Sequence, residues 1–318
     1  MSSSGKRYSI EQLRSGGRRA LARAISTVEN HSPGWSELLK ELFPHTGRAL
    51  TIGLTGAPGS GKSTLVDHLA KIYRTQNRTV GIIAVDPSSP YSGGAILGDR
   101  IRMQEHFSDH GIYIRSMATR GWLGGLARST ADVALLLDAF GHDVVIIETV
   151  GVGQDEIDIV RVADVTVVIL VPGMGDDVQT IKAGIMEIAD IFVINKSDHA
   201  GAERVEKEIR ALDSLSLRTE PWTPPIVRTI ATAGEGVGEL AQATLDYQGH
   251  LLEHGLLERH RVENWELRLV QMLRDSLLEQ ARATMSDGDV RHFAEQIAQR
   301  TRDPYSVIEE VQRRLRSS

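Results

Sequence analysis

The stretch LTIGLTGAPGSGKST, Leu50 to Thr64, runs from apolar strand-forming residues into a glycine-rich loop and then into a helix start. It narrows the possible folds more than any other part of the chain. Gly56 to Ser63 has the spacing G-x-x-x-x-G-K-S, which is a complete phosphate loop. Glycines let successive backbone N–H groups converge on phosphate oxygens, and the helix that follows turns its positive dipole end toward the anion. Lys62 is expected to reach the β and γ phosphates and Ser63 to offer its hydroxyl to Mg²⁺. The phosphate-binding set predicted here is Gly56, Ala57, Pro58, Gly59, Ser60, Gly61, Lys62, Ser63 and Thr64.

Around this loop, short apolar runs alternate with helical stretches. The runs are ALTIGL, TVGIIAV, IYIRSM, DVVIIE, DVTVVILV, ADIFVIN and PIVRTIA. Near-continuous Val and Ile suit strands covered on both faces, as a parallel sheet with crossover helices requires. The expected fold is therefore α/β, a doubly wound, mostly parallel sheet that binds its ligand beyond the carboxyl ends of the strands. Three regions follow: an N-terminal helical arm over 1–46, a phosphate-loop domain over 47–245, and a C-terminal helical region over 246–318. In the arm, WSELLKELF places Leu38, Leu39, Leu42 and Phe43 on one face. In the C-terminal region Trp265, Leu269, Met272 and Leu273 share a stripe, and Asp303 is an N-cap candidate with Pro304 at the first helical position. Such a helical appendage can pack on its own domain or form a dimer surface.

A second motif specifies the base. ADIFVINKSD places Asn195, Lys196 and Asp198 at a strand end. The Asp198 carboxylate can accept from guanine N1–H and N2 together, whereas adenine offers an acceptor at N1 and no such amine. A buried carboxylate left unpaired against adenine supports discrimination of order ~10⁴. Lys196 is expected to lay its stem on the base, and Asn195 to tie loops together and meet the base edge. Further on, Ala231, Thr232 and Ala233 stand where a backbone amide can contact the guanine carbonyl oxygen.

Two acids close strands beside the loop, Asp86 in IIAVDPSSP and Glu148 in DVVIIETVGVGQDE. With Ser63 they form the candidate Mg²⁺ set, since that ion takes oxygen ligands and keeps several waters. Glu148 is one methylene longer than the aspartate usual at this place, which favours an outer-shell or water-positioning role. The glycine three residues on, Gly151, is followed by Val152, and Gln154 comes later. No glutamine occupies the usual water-orienting position, so the expected intrinsic hydrolysis is slow. YSGGAILGDRIRM carries Asp99, Arg100 and Arg102 in a glycine-hinged loop that a γ-phosphate could order. For Arg102 a phosphate-side role and a solvated helix-face charge are equally open.

Composition sets outer limits. The 318 residues are 41% apolar with a net charge of -6, enough for a large core and without the basic surplus of a general nucleic-acid binder. No Cys is present, which excludes disulfides, thiolate metal sites and a cysteine nucleophile and fits a reducing compartment. A cytoplasmic location is the expectation. The longest apolar run, VTVVILV, is far short of the roughly 20 residues needed to span a bilayer. The Arg- and Ser-rich first 28 residues raise a transit peptide, but IEQLRSGGRRALARAISTVEN has helical spacing and reads more simply as a surface helix.

Taken in order, GAPGSGKST, AVDPSS, GGAILGDRIRM, ETVGVGQDE, PGMGDDVQTIKAGI and NKSD resemble the MeaB/MMAA/ArgK group of phosphate-loop GTPases, and the likeness covers nearly the whole chain. Glu148 in place of Asp looks like a hallmark of that group. The resemblance implies a homodimeric GTPase using GTP/GDP and Mg²⁺. It would assist adenosylcobalamin-dependent methylmalonyl-CoA mutase or a related acyl-CoA mutase by gating cofactor loading and protecting the enzyme, and would turn over slowly until its partner stimulates it. It assigns Lys62, Ser63, Asp86, Asp99 and Glu148 to the phosphate and metal site. It also makes Gly173 to Gly184 a further switch, with Asp176 and Lys182 coupling nucleotide state to the mutase. No nucleic acid and no membrane enter this reading. Alternatives are a metal-delivery GTPase, for which His106 with His110 and His250 with His254 have i,i+4 spacing, a kinase or ATPase tied to lysine/arginine/ornithine transport, which NKSD opposes by selecting guanine, and a nucleotide-sensing scaffold.

Overall fold

The computed structural model describes residues 17–86, 109–118, 125–149, 162–173, 188–213, 222–286 and 288–317. All seven apolar runs are strands: β1 Leu50–Gly56, β2 Val80–Asp86, β3 Ile112–Ala118, β4 Val144–Glu148, β5 Val165–Leu170, β6 Ile191–Asn195 and β7 Ile226–Thr229. They form one sheet in the order β3-β2-β4-β1-β5-β6-β7, every pairing parallel. β1 lies at the centre, and strand order turns back on either side of it, which places a crevice at its carboxyl end.

The helices, numbered over the described residues, are α1 Gly17–Glu29, α2 Trp35–Leu42, α3 Lys62–Thr75, α4 Gly125–Ala139, α5 Ala202–Asp213, α6 Val237–Glu253, α7 Leu256–Ala283, α8 Asp289–Ala298 and α9 Pro304–Ser317. Alternate strand residues go to opposite faces, and both faces are covered. Ile52, Leu54, Ile146, Val167 and Val193 pack with Leu65, Leu69 and Tyr73 of α3 and Leu240, Tyr247 and Leu251 of α6. On the other face Ile83, Val145 and Ile147 meet Leu136 and Leu137 of α4, and Val168, Phe192 and Ile194 meet Val205 and Ile209 of α5. Each such side chain contributes about 1.5–3 kcal/mol on burial, which explains why the strands are almost unbroken Val and Ile.

The arm differs from a simple surface helix. α1 buries Ala20, Leu21, Ala24, Ile25 and Val28 in the same core as α4 and β4, and Glu29 pairs with Arg115 of β3. In α2, Leu38 and Leu42 are buried, but Phe43 is 48% exposed, because the chain tightens into a 3₁₀ turn at Phe43–His45 and rotates it off the helical face.

The amino ends of the strands are fixed by a row of aspartates. Asp143, Asp164 and Asp190, each immediately before a strand, accept from the backbone N–H of Thr79 at 2.7 Å, Thr51 at 3.0 Å and Thr166 at 2.7 Å. Asp138, at the end of α4, accepts from the N–H groups of Gly47 at 2.5 Å and Ala49 at 3.0 Å and so anchors the entry into β1. These carboxylates secure the edge of the sheet opposite the crevice.

The chain divides into two compact units, 1–261 and 262–318. α6 runs through the expected boundary at 245, and its apolar face belongs to the core of the first unit. In the second unit, Phe293 and Val307 are buried, with the guanidinium groups of Arg302 and Arg314 at 5.4 and 5.7 Å from the Phe293 ring centre. Asp303 caps α9 as expected, accepting from the N–H groups of Tyr305 at 3.0 Å and Ser306 at 2.9 Å.

Candidate nucleotide-binding site

The carboxyl ends of β1, β4 and β6 bring three sequence-distant segments together. The loop leaves β1 at Gly56 and enters α3 through Gly61, both with positive φ (150° and 91°). A Cβ on Gly56 would stand 2.4 Å from the Ile169 carbonyl oxygen, and one on Gly61 would stand 2.2 Å from Asn195 Nδ2. Close approach, as well as backbone freedom, therefore demands glycine at both positions. Lys62 is buried, and its ammonium donates to the carbonyls of Gly56 at 2.7 Å and Ala57 at 2.9 Å. The cation is thus held over the hollow of the loop. Ala57, Pro58, Gly59 and Ser60 form the turn between, with the Ser60 N–H donating to Ala57 at 3.1 Å, and Ser63 and Thr64 begin the helix.

Glu148 is the last residue of β4, level with Leu54 of β1 and Ala84 of β2. It is 5% exposed, and its Oε1 accepts from the Ser63 hydroxyl at 2.6 Å. Two of the three predicted metal-side residues are therefore in contact. Asp86 closes β2, two residues beyond the level of Glu148; its side chain lies outside the described part. Asp99, Arg102, Asp176 and Lys182 lie outside the described residues, as do Gly151, Val152, Gln154 and His106.

The NKSD loop does more bracing than its sequence suggests. Asn195, fully buried, donates from Nδ2 to the Ser60 carbonyl at 2.7 Å and accepts at Oδ1 from the Ala231 N–H and the Thr229 hydroxyl, both at 3.0 Å. One amide thus joins the phosphate loop, β7 and the turn Ala231–Ala233. Lys196 has φ of 55° and sends its ammonium to the Gly59 carbonyl at 3.0 Å, crossing between the two loops. Asp198 is half exposed, 3.9 Å from His199 Nε2, with its oxygens accessible to a base. Thr232 and Ala233 are exposed beside the buried Ala231.

Sequence reasoning passed over Thr229 and over Thr149, which is 5% exposed and hydrogen-bonded to β1. A threonine at a strand end among Val and Ile was the available signal. The His250 and His254 rings lie 4.3 Å apart and tilted by 37°, and His254 Nδ1 is 2.9 Å from the His250 carbonyl. These rings pack against each other, and His254 caps the end of α6. Among the described residues, no group of three or more His, Asp or Glu side chains is placed to hold a metal, and no helix is long and apolar enough to cross a membrane.

Comparison with known proteins agrees with this arrangement. Residues 21–286 match the family model described as methylmalonyl Co-A mutase-associated GTPase MeaB. A protein of Pyrococcus abyssi named as a GTPase is 46% identical over 305 residues, covering 95% of this chain and 94% of the relative. The mouse methylmalonic aciduria type A homolog, mitochondrial, is 37% identical over 282 residues, covering 83% of this chain and 68% of the relative. Among solved structures, the crystal structure of an LAO/AO transport system kinase superimposes with a TM-score of 0.72 at 28% identity, covering 98% and 99% of the two chains.

Proposed function

Because the chain belongs to the MeaB family of GTPases and is itself a GTP hydrolase, we propose that its hydrolysis of GTP times the action of an adenosylcobalamin-dependent acyl-CoA mutase of the methylmalonyl-CoA mutase type. The observation that carries the nucleotide part is the convergence of Lys62, the Ser63–Glu148 pair and the Asn195 brace at the carboxyl ends of three adjacent or near-adjacent strands. The partner part rests on the family and on the named role of its members.

In this reading GTP lies along the loop, with its base toward Asp198 and its phosphates over the start of α3. Lys62 exchanges the Gly56 and Ala57 carbonyls for the β and γ phosphates, a charge-assisted exchange in a water-poor pocket. Asp198 accepts the two guanine donors, while Lys196 and the amide next to Asn195's partner Ala231 fix the base edge. Ser63, Asp86 and Glu148 would hold Mg²⁺; their hydroxyl and carboxylate oxygens are the hard donors that ion prefers. Bound there, the ion would supply positive charge to offset the negative charge of the phosphates. Glu148 keeps Ser63 oriented, and Asp99 and Arg102 complete the γ-phosphate side. Asp176 and Lys182 carry the nucleotide state to the mutase. Without a glutamine next to Gly151, orientation of the attacking water depends on the partner.

The C-terminal region joins two copies. α7 has no buried residue, and Val262, Leu269, Val270, Leu273 and Leu277 are each more than half exposed at helical spacing. An apolar stripe of this extent on a helix about 42 Å long suits a partner helix in water. The cytoplasm is the compartment.

The test is mutase binding as a function of nucleotide: affinity of the purified protein for its organism's acyl-CoA mutase, loaded with a non-hydrolysable GTP analogue or with GDP. A difference of at least about fivefold between the two states is the least that would count as a coupling free energy. Equal affinity in both states contradicts a timer. A transport kinase, the name borne by the structural relative, would instead transfer the γ-phosphate to a protein hydroxyl, and radiolabel would appear on protein.

A further inference from the structure

Beyond Glu148 the β1–β4 ladder has formally ended, yet one more residue of the strand remains tied. The Thr149 N–H donates to the Leu54 carbonyl at 3.1 Å. Its hydroxyl lies 3.3 Å from the same carbonyl and 3.2 Å from Thr55 Oγ1, with its single proton directed to one of them. Thr149 is 5% exposed and Thr55 is fully buried. Deeper in these two strands three of the facing pairs are wholly apolar: Leu50 stands level with Val144, Ile52 with Ile146 and Gly53 with Ile147. Two facing hydroxyls in such an interior are costly unless they satisfy each other, and Val against Val would serve packing as well. Their location is what distinguishes them. Thr55 precedes the first glycine of the phosphate loop, and Thr149 follows the carboxylate that grips Ser63. The end of β4 is thus tied twice, by Glu148 to Ser63 at the start of α3 and by Thr149 to Thr55 of β1.

We propose that Thr149 is a positioning residue for the Mg²⁺ side of the site: its hydroxyl contact with Thr55 and Leu54 fixes the end of β4 so that the Glu148 carboxylate stays turned to Ser63. This rests on the reading of Glu148 as a Mg²⁺-side carboxylate. Without the hydroxyl, the end of β4 loses its side-chain tie to β1 and keeps only backbone bonds there, such as Thr149 N–H to Leu54, so the carboxylate is less well directed.

The experiment measures release of a fluorescent GDP analogue from the full-length protein as Mg²⁺ is titrated, alongside thermal unfolding. In Thr149→Val, which keeps volume and removes the hydroxyl, the Mg²⁺ concentration that half-maximally slows release should rise roughly three- to tenfold, the worth of one hydrogen bond. Release in the absence of Mg²⁺ should stay unchanged. Thr149→Ser should recover the native titration. Thr55→Val should shift the titration in the same direction, and the double variant should be no worse than Thr149→Val, which already removes the contact with Thr55. Thr55→Val also reads the contact if Thr149→Val does not fold. A native Mg²⁺ titration in both single Val variants, while Glu148→Gln shifts it, would overturn the positioning role and leave the reading of Glu148 standing. No shift in Glu148→Gln would remove that reading and this inference with it.

Discussion

Gly61 and Asp198 separate what the site needs for shape from what it needs for recognition. A side chain at Gly61 would collide with the Asn195 amide at 2.2 Å in a conformation with φ of 91°. That amide braces Ser60, Thr229 and Ala231 against one another. Gly61→Ala is therefore expected to weaken GDP binding at least about tenfold and to lower stability by about 2 kcal/mol or more, as read by calorimetric titration and denaturant unfolding. Native-like affinity would show that the brace is dispensable. Asp198 makes no bracing bond among those described beyond its loose approach to His199, so Asp198→Ala should leave the fold intact. The preference for GTP over ATP should fall by a factor of order ~10³ or more, measured by competition for a fluorescent nucleotide. Both motifs were legible because each compresses its chemistry into a few consecutive residues. The bonds between them were not: Ser63 and Glu148 are 85 positions apart, and Asn195 and Ser60 are 135.

At the scale of elements, the seven strands were legible because double-sided burial leaves an unmistakable run of Val and Ile in each. The placement of α1 was not, because a helix with one apolar stripe looks the same whether it lies at the periphery or closes a core. What decides is α4, whose ADVALLLDA segment is apolar beyond the width that one sheet face covers, so α1 and α2 are drawn onto it. The α4–β4 junction also carries the clearest acid sensitivity. Burial holds the His142 imidazole below the ordinary 6.5, and its Nδ1 lies 2.9 Å from the Leu137 carbonyl, which fixes the neutral ring with the proton on that nitrogen. The unfolded chain takes up this proton first as pH falls, so stability declines from about pH 6.5 downward until the folded-state value is passed. Next to it, burial alone would raise the Asp143 carboxyl, but the Thr79 N–H and hydroxyl and the Arg78 charge outweigh it and hold the group below the ordinary 3.8. Its contribution is present above that value and is lost as pH falls through the lower folded-state value. The expected urea midpoint therefore drops in two stages on acidification, and His142→Gln should flatten the first stage only. An unchanged slope between pH 6.5 and 5 in that variant would contradict the assignment.

For the whole molecule, the exposed leucines of α7 and the converging loops of the sheet pose separate questions. The expected C-terminal stripe proved divided: Trp265 and Met272 are half-buried, while Leu269 and Leu273 are exposed. Sequence periodicity gives a helix its apolar side but not the surface that covers it. If two copies meet there, Leu269→Glu with Leu273→Glu should convert a dimer into a monomer in sedimentation equilibrium, with GDP affinity retained. A mass unaffected by the pair would place the contact elsewhere. Coupling of the nucleotide site to another enzyme is tested by GTP hydrolysis with and without the organism's own adenosylcobalamin-dependent acyl-CoA mutase, with Lys62→Ala as the blank. Turnover should be slow alone, should accelerate at least about tenfold with the mutase, and should prefer GTP to ATP. Tight GTP binding with a rate indifferent to the mutase would contradict the coupling.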